Sequence, residues 1–186
     1  MLDAALALAE RDGIRAVTME AVAQALRVTK PVVYACFGSR EELVDQLLAR
    51  EEARLVEGVL AALPTELDLG DPERMFTAGF TALVGFAAKH PGAWQLVLAP
   101  DPDPSVTLRY GRARARVSGR VAELMRVGLV AGGTTDVDRK LPLLVELFMS
   151  AGDAAVHAMV RGPTPWSPDE LGAFVGRVVL GALRNA

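Results

Sequence analysis

The sequence predicts an all-α protein of about nine helices: a three-helix head, a connecting helix and a five-helix body. Three observations carry this. The 186 residues are 51% hydrophobic but only 5% aromatic, and Ala, Leu and Val dominate, which favours helix over a sandwich or barrel. Apolar residues recur at helical spacing, with no alternating strand pattern of useful length and no internal repeat. Gly and Pro cluster at a few points and cut the chain into helix-length segments.

Residues 2–12 place Leu2, Ala5, Leu6 and Ala9 on one helical face, with Gly13 as a stop. Thr18, a preferred N-cap type, opens a second helix that buries Met19, Val22, Ala23 and Leu26. Arg27-Val28 forms a tight turn. Thr29 caps a third short helix with Pro31 in its first turn, where the missing N–H costs nothing. That helix carries Val32, Val33, Cys36 and Phe37 and ends at Gly38. Ser39 with Glu42 is a capping-box pair, starting a long helix to about Ala62. The stretch from Pro64 to Pro72 is the clearest linker. Further helices are expected at 73–89, 91–99, 105–131, 141–161 and 168–184, separated by Pro91-Gly92, the Pro/Asp run at 100–104, Gly132-Gly133 and Gly162-Pro163. Residues 1–45 form the head domain and 46–186 the body.

Net charge is −3, but the charge is unevenly placed. Between Gly13 and Arg40 stand four basic residues (Arg15, Arg27, Lys30, Arg40) and one acidic residue, Glu20. Such a local excess suits phosphates, although short runs of this size also mark solvated faces. No apolar run approaches the roughly 18 residues of a membrane span. Asp3, Glu10, Arg11 and Asp12 are foreign to a signal peptide, so a soluble cytoplasmic protein is expected. The single cysteine, Cys36, allows no internal disulfide. It reads as a small core hydrophobe, the alternative being a redox switch through a sulfenic acid or a mixed disulfide. No GxSxG, HExxH, P-loop or dinucleotide fingerprint is present. The chain is therefore read as no enzyme, with no catalytic residue, metal or cofactor.

Two short helices joined by a tight turn, the second carrying exposed polar residues, are the geometry of a DNA reader, because the major groove admits one α-helix. Thr18 to Phe37 fits that outline, which other compact three-helix heads share. The residues themselves favour the DNA reader. Gly13-x4-Thr18-x3-Val22-Ala23, then Val28-Thr29-Lys30-Pro31-x2-Tyr34-x2-Phe37-x-Ser39-Arg40-x-Glu42-Leu43, resembles the head of the TetR family over residues 1 to about 48. His90-Pro91-Gly92 also resembles a recurring break in the bodies of that family.

The resemblance implies a homodimer that binds operator DNA and releases it when a small molecule enters the body. It implies that Thr18 contacts phosphate, that Thr29 and Lys30 open the recognition helix, and that Lys30 reaches a phosphate or base edge. Pro31 and Val32 would lie against the groove, Tyr34 would donate its hydroxyl to a phosphate, and Arg40 would take the family's usual lysine position on the backbone. Each residue also has a plain structural role open to it: Thr18 and Thr29 as caps, Tyr34 as a packing ring, Lys30 and Arg40 as solvated cations. Val22, Ala23, Leu26 and Phe37 are read as core. Ala35 and Cys36 depart from the aromatic or histidine residues frequent in the family. Arg27 stands where glycine is common, and at positive φ it would carry about 1 kcal/mol of strain.

In the body, Glu146, Ser150, Asp153 and His157 follow one another at steps of four, three and four on an otherwise apolar helix. They form either an exposed strip at a dimer edge or the polar lining of an apolar cavity. Phe80, Trp94, Met125, Phe148, Asp153 and His157 are the candidate ligand-binding set. Arg109, Arg112, Arg116 and Arg120 make a second polar stripe, read as solvated or as selecting an anionic ligand. The helices at 141–161 and 168–184 are apolar over more than one face, and that surplus calls for a partner surface, here a homodimer through the last two helices. The expected function is a ligand-responsive transcription regulator, a repressor leaving its palindromic operator on effector binding. The alternative is a dimeric small-molecule-binding protein of the same fold with little DNA affinity.

Overall fold

The computed structural model describes residues 1–98 and 103–184. Among them are nine α-helices, one 3-10 turn and no strand. In order they are α1 (Leu2–Asp12), the 3-10 turn Ile14–Ala16, α2 (Met19–Leu26), α3 (Lys30–Cys36), α4 (Arg40–Ala62), α5 (Pro72–Lys89), α6 (Pro91–Val97), α7 (Pro104–Ala131), α8 (Val137–Arg161) and α9 (Pro168–Arg184). The expected end of α6 at residue 99 and most of the break expected at 100–104 lie outside the described residues.

Local chemistry sets the helix ends. Gly13 closes α1 at φ 82°, donating its N–H to the Ala9 carbonyl at 2.9 Å, in a backbone region glycine enters without steric penalty. Ser39 Oγ accepts from the Glu42 N–H at 3.1 Å, while the Glu42 carboxylate accepts from the Gly38 N–H at 2.8 Å. The reciprocal cap is therefore present, with its return bond one residue earlier than the usual box. Ahead of α9, Ser167 Oγ accepts from the Glu170 N–H at 3.2 Å and Glu170 accepts from the Ser167 N–H at 3.1 Å.

Helix α8 starts at Val137, four residues before its expected start at 141, and runs through Pro142. Two backbone N–H groups, of Arg139 and Lys140, both reach the Asp136 carbonyl at 3.1 Å and close the first turn ahead of the proline. Pro142, six residues into the helix, brings no N–H for the carbonyl four residues back, and its ring crowds that carbonyl.

The described chain forms two compact units. The first takes Met1–Leu55 together with His90–Arg112, and so includes α6 and the start of α7. Its core draws Ala5 and Leu8 from α1, Val22 and Ala23 from α2, Val33 from α3, Leu43 and Leu47 from α4, and Leu96 and Val106 from the later segment. Glu51 is buried, and ion pairs with Arg50 at 2.7 Å and Arg54 at 3.3 Å offset the loss of water around its carboxylate. Arg109 of α7 binds both Asp45 and Glu52 of α4, the latter at 3.0 Å.

The second unit is Val56–Lys89 with Ala113–Ala186. Here α9 lies directly on α5. A Cβ on Gly176 would stand 2.7 Å from Thr77 Cα, and one on Gly172 would run into the Thr81 backbone. Those two glycines, one helical turn apart, let the backbones touch. Leu141, Leu144, Val145 and Met149 turn α8 into the core beside Val117 and Val121 of α7. By length and composition α8 could cross a membrane, contrary to the expected lack of such a run. One side of it packs into the second unit, and its Glu146 and Asp153 are ion-paired with Arg114. Its other side is apolar and uncovered: Leu143 is 64% exposed and Leu147 54%, as on α9 are Phe174 (50%) and Val178 (56%). Trp166 stacks on Phe174 with ring centroids 5.9 Å apart.

Candidate nucleic-acid interface

The head builds a helix-turn-helix from α2, a tight turn and α3. Thr18 is the N-cap of α2, its Oγ1 accepting from the Ala21 N–H at 3.0 Å. The helix ends at Arg27 in the left-handed region (φ 55°, ψ 39°). The Val28 N–H reaches back to the Ala23 carbonyl at 3.0 Å, a bond spanning five residues that reverses the chain. Arg27 thus meets the positive φ at which a non-glycine residue is strained.

On α3, Val33 and Phe37 fall one turn apart and are both buried. They anchor the short helix on the core, and the remaining side chains face outward. Pro31 and Ala35 are exposed, with Val32 44% and Tyr34 52% accessible. Large apolar or amphipathic groups left in water on a short, anchored helix suit a surface meant to be covered. Thr29 is the N-cap residue, yet its hydroxyl makes no cap hydrogen bond, unlike that of Thr18. Two residues read as core are not. Cys36 is exposed because the inward stripe of α3 is only wide enough for Val33 and Phe37. Leu26 is 37% exposed at the last position of α2, just before the chain turns away.

The two candidate cations behave differently. Lys30 is exposed, and its Nζ lies 2.9 Å from a carboxylate oxygen of Glu20 in the first turn of α2. That hydrogen bond and charge raise the Lys30 pKa above its ordinary value. Arg40 turns its guanidinium inward. Its Nε donates to the Val17 carbonyl at 2.8 Å and its Nη2 to the Ile14 carbonyl at 3.1 Å. It ties the start of α4 to the turn that leads into α2, and so positions the helix-turn-helix. Asp103 is held below the usual carboxylate range first by the Ser105 hydroxyl and N–H, and then by Arg15 and Arg40. Neither the Glu20–Lys30 pair nor the inward Arg40 is visible in helical periodicity; opposite charges in successive short helices were the only sequence signal for the pair.

The six candidate ligand-binding residues divide between the units, Trp94 in the first and the others in the second. Trp94 is buried, and among the described residues its indole N–H has no acceptor. Phe148 packs against Phe80 with centroids 5.4 Å apart and against Phe76 at 6.2 Å, and Met125 lines the same cluster as Phe148. Asp153 accepts from Arg114 Nε at 3.3 Å, and Glu146 takes the two terminal nitrogens of the same guanidinium at 2.8 and 3.2 Å. His157 is exposed. Glu146 and Asp153 of the polar strip on α8 are thus gathered by Arg114, a residue outside the arginine stripe singled out in the sequence.

Comparison with known proteins agrees with this geometry. Residues 1–47 match the family model described as bacterial regulatory proteins, tetR family. No curated protein matches the chain. Among solved structures, a TetR-like transcriptional regulator from a Rhodococcus species is similar over 100% of this chain and 94% of its own, with 21% identity and a TM-score of 0.75. The TetR family transcriptional regulator PfmR from Thermus thermophilus is similar over 96% and 92%, with 23% identity and a TM-score of 0.70. The fatty acid degradation regulator FadR from Bacillus halodurans covers 98% and 94%, with 16% identity and a TM-score of 0.73.

Proposed function

We propose that this chain, whose head is that of a TetR-family regulator and whose whole fold is that of TetR-family structures, is a DNA-binding transcription repressor released by a small molecule. One observation carries it: α3 is anchored by Val33 and Phe37 and presents Lys30, Pro31, Val32 and Tyr34 outward from a helix-turn-helix. Lys30 and the Tyr34 hydroxyl bind phosphates, Val32 and Pro31 meet thymine methyl groups, and the hydroxyl of Thr29 is available to the DNA. The start of α2 at Thr18 lies along a phosphate. Arg40 acts through the turn at residues 14–17, holding α2 in register.

The protein works as a cytoplasmic homodimer on a palindromic operator. Leu143, Leu147, Phe174 and Val178 supply the uncovered apolar surface that a twofold seam through α8 and α9 would bury. The effector is mainly apolar and binds in the second unit beside Phe80, Met125 and Phe148, with Arg114, Asp153 and His157 as polar groups at its edge. Effector binding changes the separation of the two recognition helices, which must be about 34–36 Å for half-sites one helical turn apart.

The test is titration of wild-type protein and of Lys30→Ala and Tyr34→Phe onto a duplex selected by the wild type from a random library. Each variant should weaken binding by about 5- to 30-fold with an unchanged circular dichroism spectrum, and wild-type affinity should fall steeply with salt. A folded dimer with no salt-sensitive DNA binding would instead favour the ligand-binding protein without DNA affinity.

A further inference from the structure

We infer that Glu20 is an affinity-setting residue of the head: it holds Lys30 of the recognition helix in an ion pair, so that DNA must displace a carboxylate before that lysine can bind phosphate. The inference rests on the DNA-binding role proposed above and deepens it.

Glu20 is the one acidic residue between Gly13 and Arg40. It stands in the first turn of α2, where the partial positive charge of the helix start favours a carboxylate. From there it reaches across to Lys30 Nζ at 2.9 Å, and both side chains remain more than half exposed. Lys30 opens α3 beside Pro31 and has Tyr34 one turn on, so the pair sits at the edge of the face that α3 presents. A pair in water is weak enough to open, yet close enough to compete with a phosphate for the same ammonium. Binding therefore exchanges one anion for another at Lys30 and brings the Glu20 charge toward the polyanion.

The size of the effect follows from the exposure of the pair. Exposed ion pairs of this kind shift an equilibrium by about threefold, so two of them in a dimer shift it by about tenfold. Lys30 neutralises the same phosphate once the carboxylate is displaced, so removing Lys30, and not Glu20, should flatten the slope of log affinity against log salt, by nearly 2 per dimer at about 0.9 per phosphate.

The experiment measures binding of wild type, Glu20→Gln, Lys30→Met and the double variant. The probes are a mixed-sequence duplex of about 30 base pairs, long enough for two half-sites, and the duplex selected by the wild type, each at several KCl concentrations. Thermal melts confirm folding. Glu20→Gln should bind both duplexes about tenfold more tightly, Lys30→Met alone should flatten the salt slope, and in the Lys30→Met background Glu20→Gln should lose most of its tightening. Unchanged or weaker binding by a folded Glu20→Gln overturns the inference while wild-type binding upholds the DNA-binding role. Equal tightening with and without Lys30 overturns the route through the lysine. Failure of the wild type and every variant to bind either duplex overturns the DNA-binding role and the inference together.

Discussion

Replacing Gly176 by alanine tests the seam between α5 and α9. The new Cβ would stand 2.7 Å from Thr77 Cα, 2.8 Å from Thr77 N and 2.9 Å from Phe76 C. Carbon atoms rest at about 3.5–4.0 Å, so α9 must retreat from α5 by nearly 1 Å. All three obstructing atoms are backbone, and no rotamer change relieves them. Overpacking of this kind costs about 1–3 kcal/mol, and a gap of 0.5–1 Å along the rest of the seam forfeits a quarter to a half of the local dispersion energy. Against this stands a helix-propensity gain of about 0.8–1 kcal/mol for Gly→Ala. The net expectation is a loss of about 2 kcal/mol, or about 4–8 °C in Tm for a chain of this size. Gly119 of α7 is the control, because a Cβ there meets nothing within 4 Å. Gly119→Ala should raise Tm by about 2–3 °C through propensity alone. Melts followed by circular dichroism at one fixed protein concentration read both, since dimerisation makes Tm concentration-dependent. Equal shifts of the same sign, or a stabilised Gly176→Ala, would refute the backbone contact between the two helices.

Three further outcomes are expected. Phe174→Glu or Val178→Glu places a charge in the proposed seam, and sedimentation should show the dimer converted to monomer at a cost of several kcal/mol per buried charge; two intact dimers would move the seam elsewhere. Arg27→Gly relieves a non-glycine residue at φ 55° and should stabilise the chain by about 0.5–1 kcal/mol, read as a rise of about 1–4 °C in Tm. The Glu146 carboxyl is held below its ordinary range, chiefly by its hydrogen bonds from Arg114. A lowered folded-state pKa means that the pair stabilises the fold above the unfolded-state pKa and loses that contribution as pH falls through the folded value. Wild-type Tm should therefore drop more than that of Glu146→Gln as pH falls from about 5 to about 3, and parallel curves would show that the pair contributes nothing.

Much of this protein is legible in its sequence because helices are specified within a few residues. The caps at Thr18 and Ser39, the stop at Gly13 and the core positions Val22, Ala23 and Phe37 are local signals, and each stands where periodicity and capping chemistry put it. The helix-turn-helix and its outward face follow from them. What the tertiary structure decided depends on groups far apart in the chain. Arg40 turns from a surface cation into a tie because carbonyls 23 and 26 residues away lie within its reach. Gly172 and Gly176 matter only because α5 presents bare backbone to them. Cys36 leaves the core because a short helix resting on two anchors has no third buried position. Glu146 and Asp153, a strip with two meanings in the sequence, acquire one partner in Arg114. Backbone periodicity states which face of a helix is apolar, but charge pairing and close approach depend on which helix arrives opposite it, and that is a property of the packed chain.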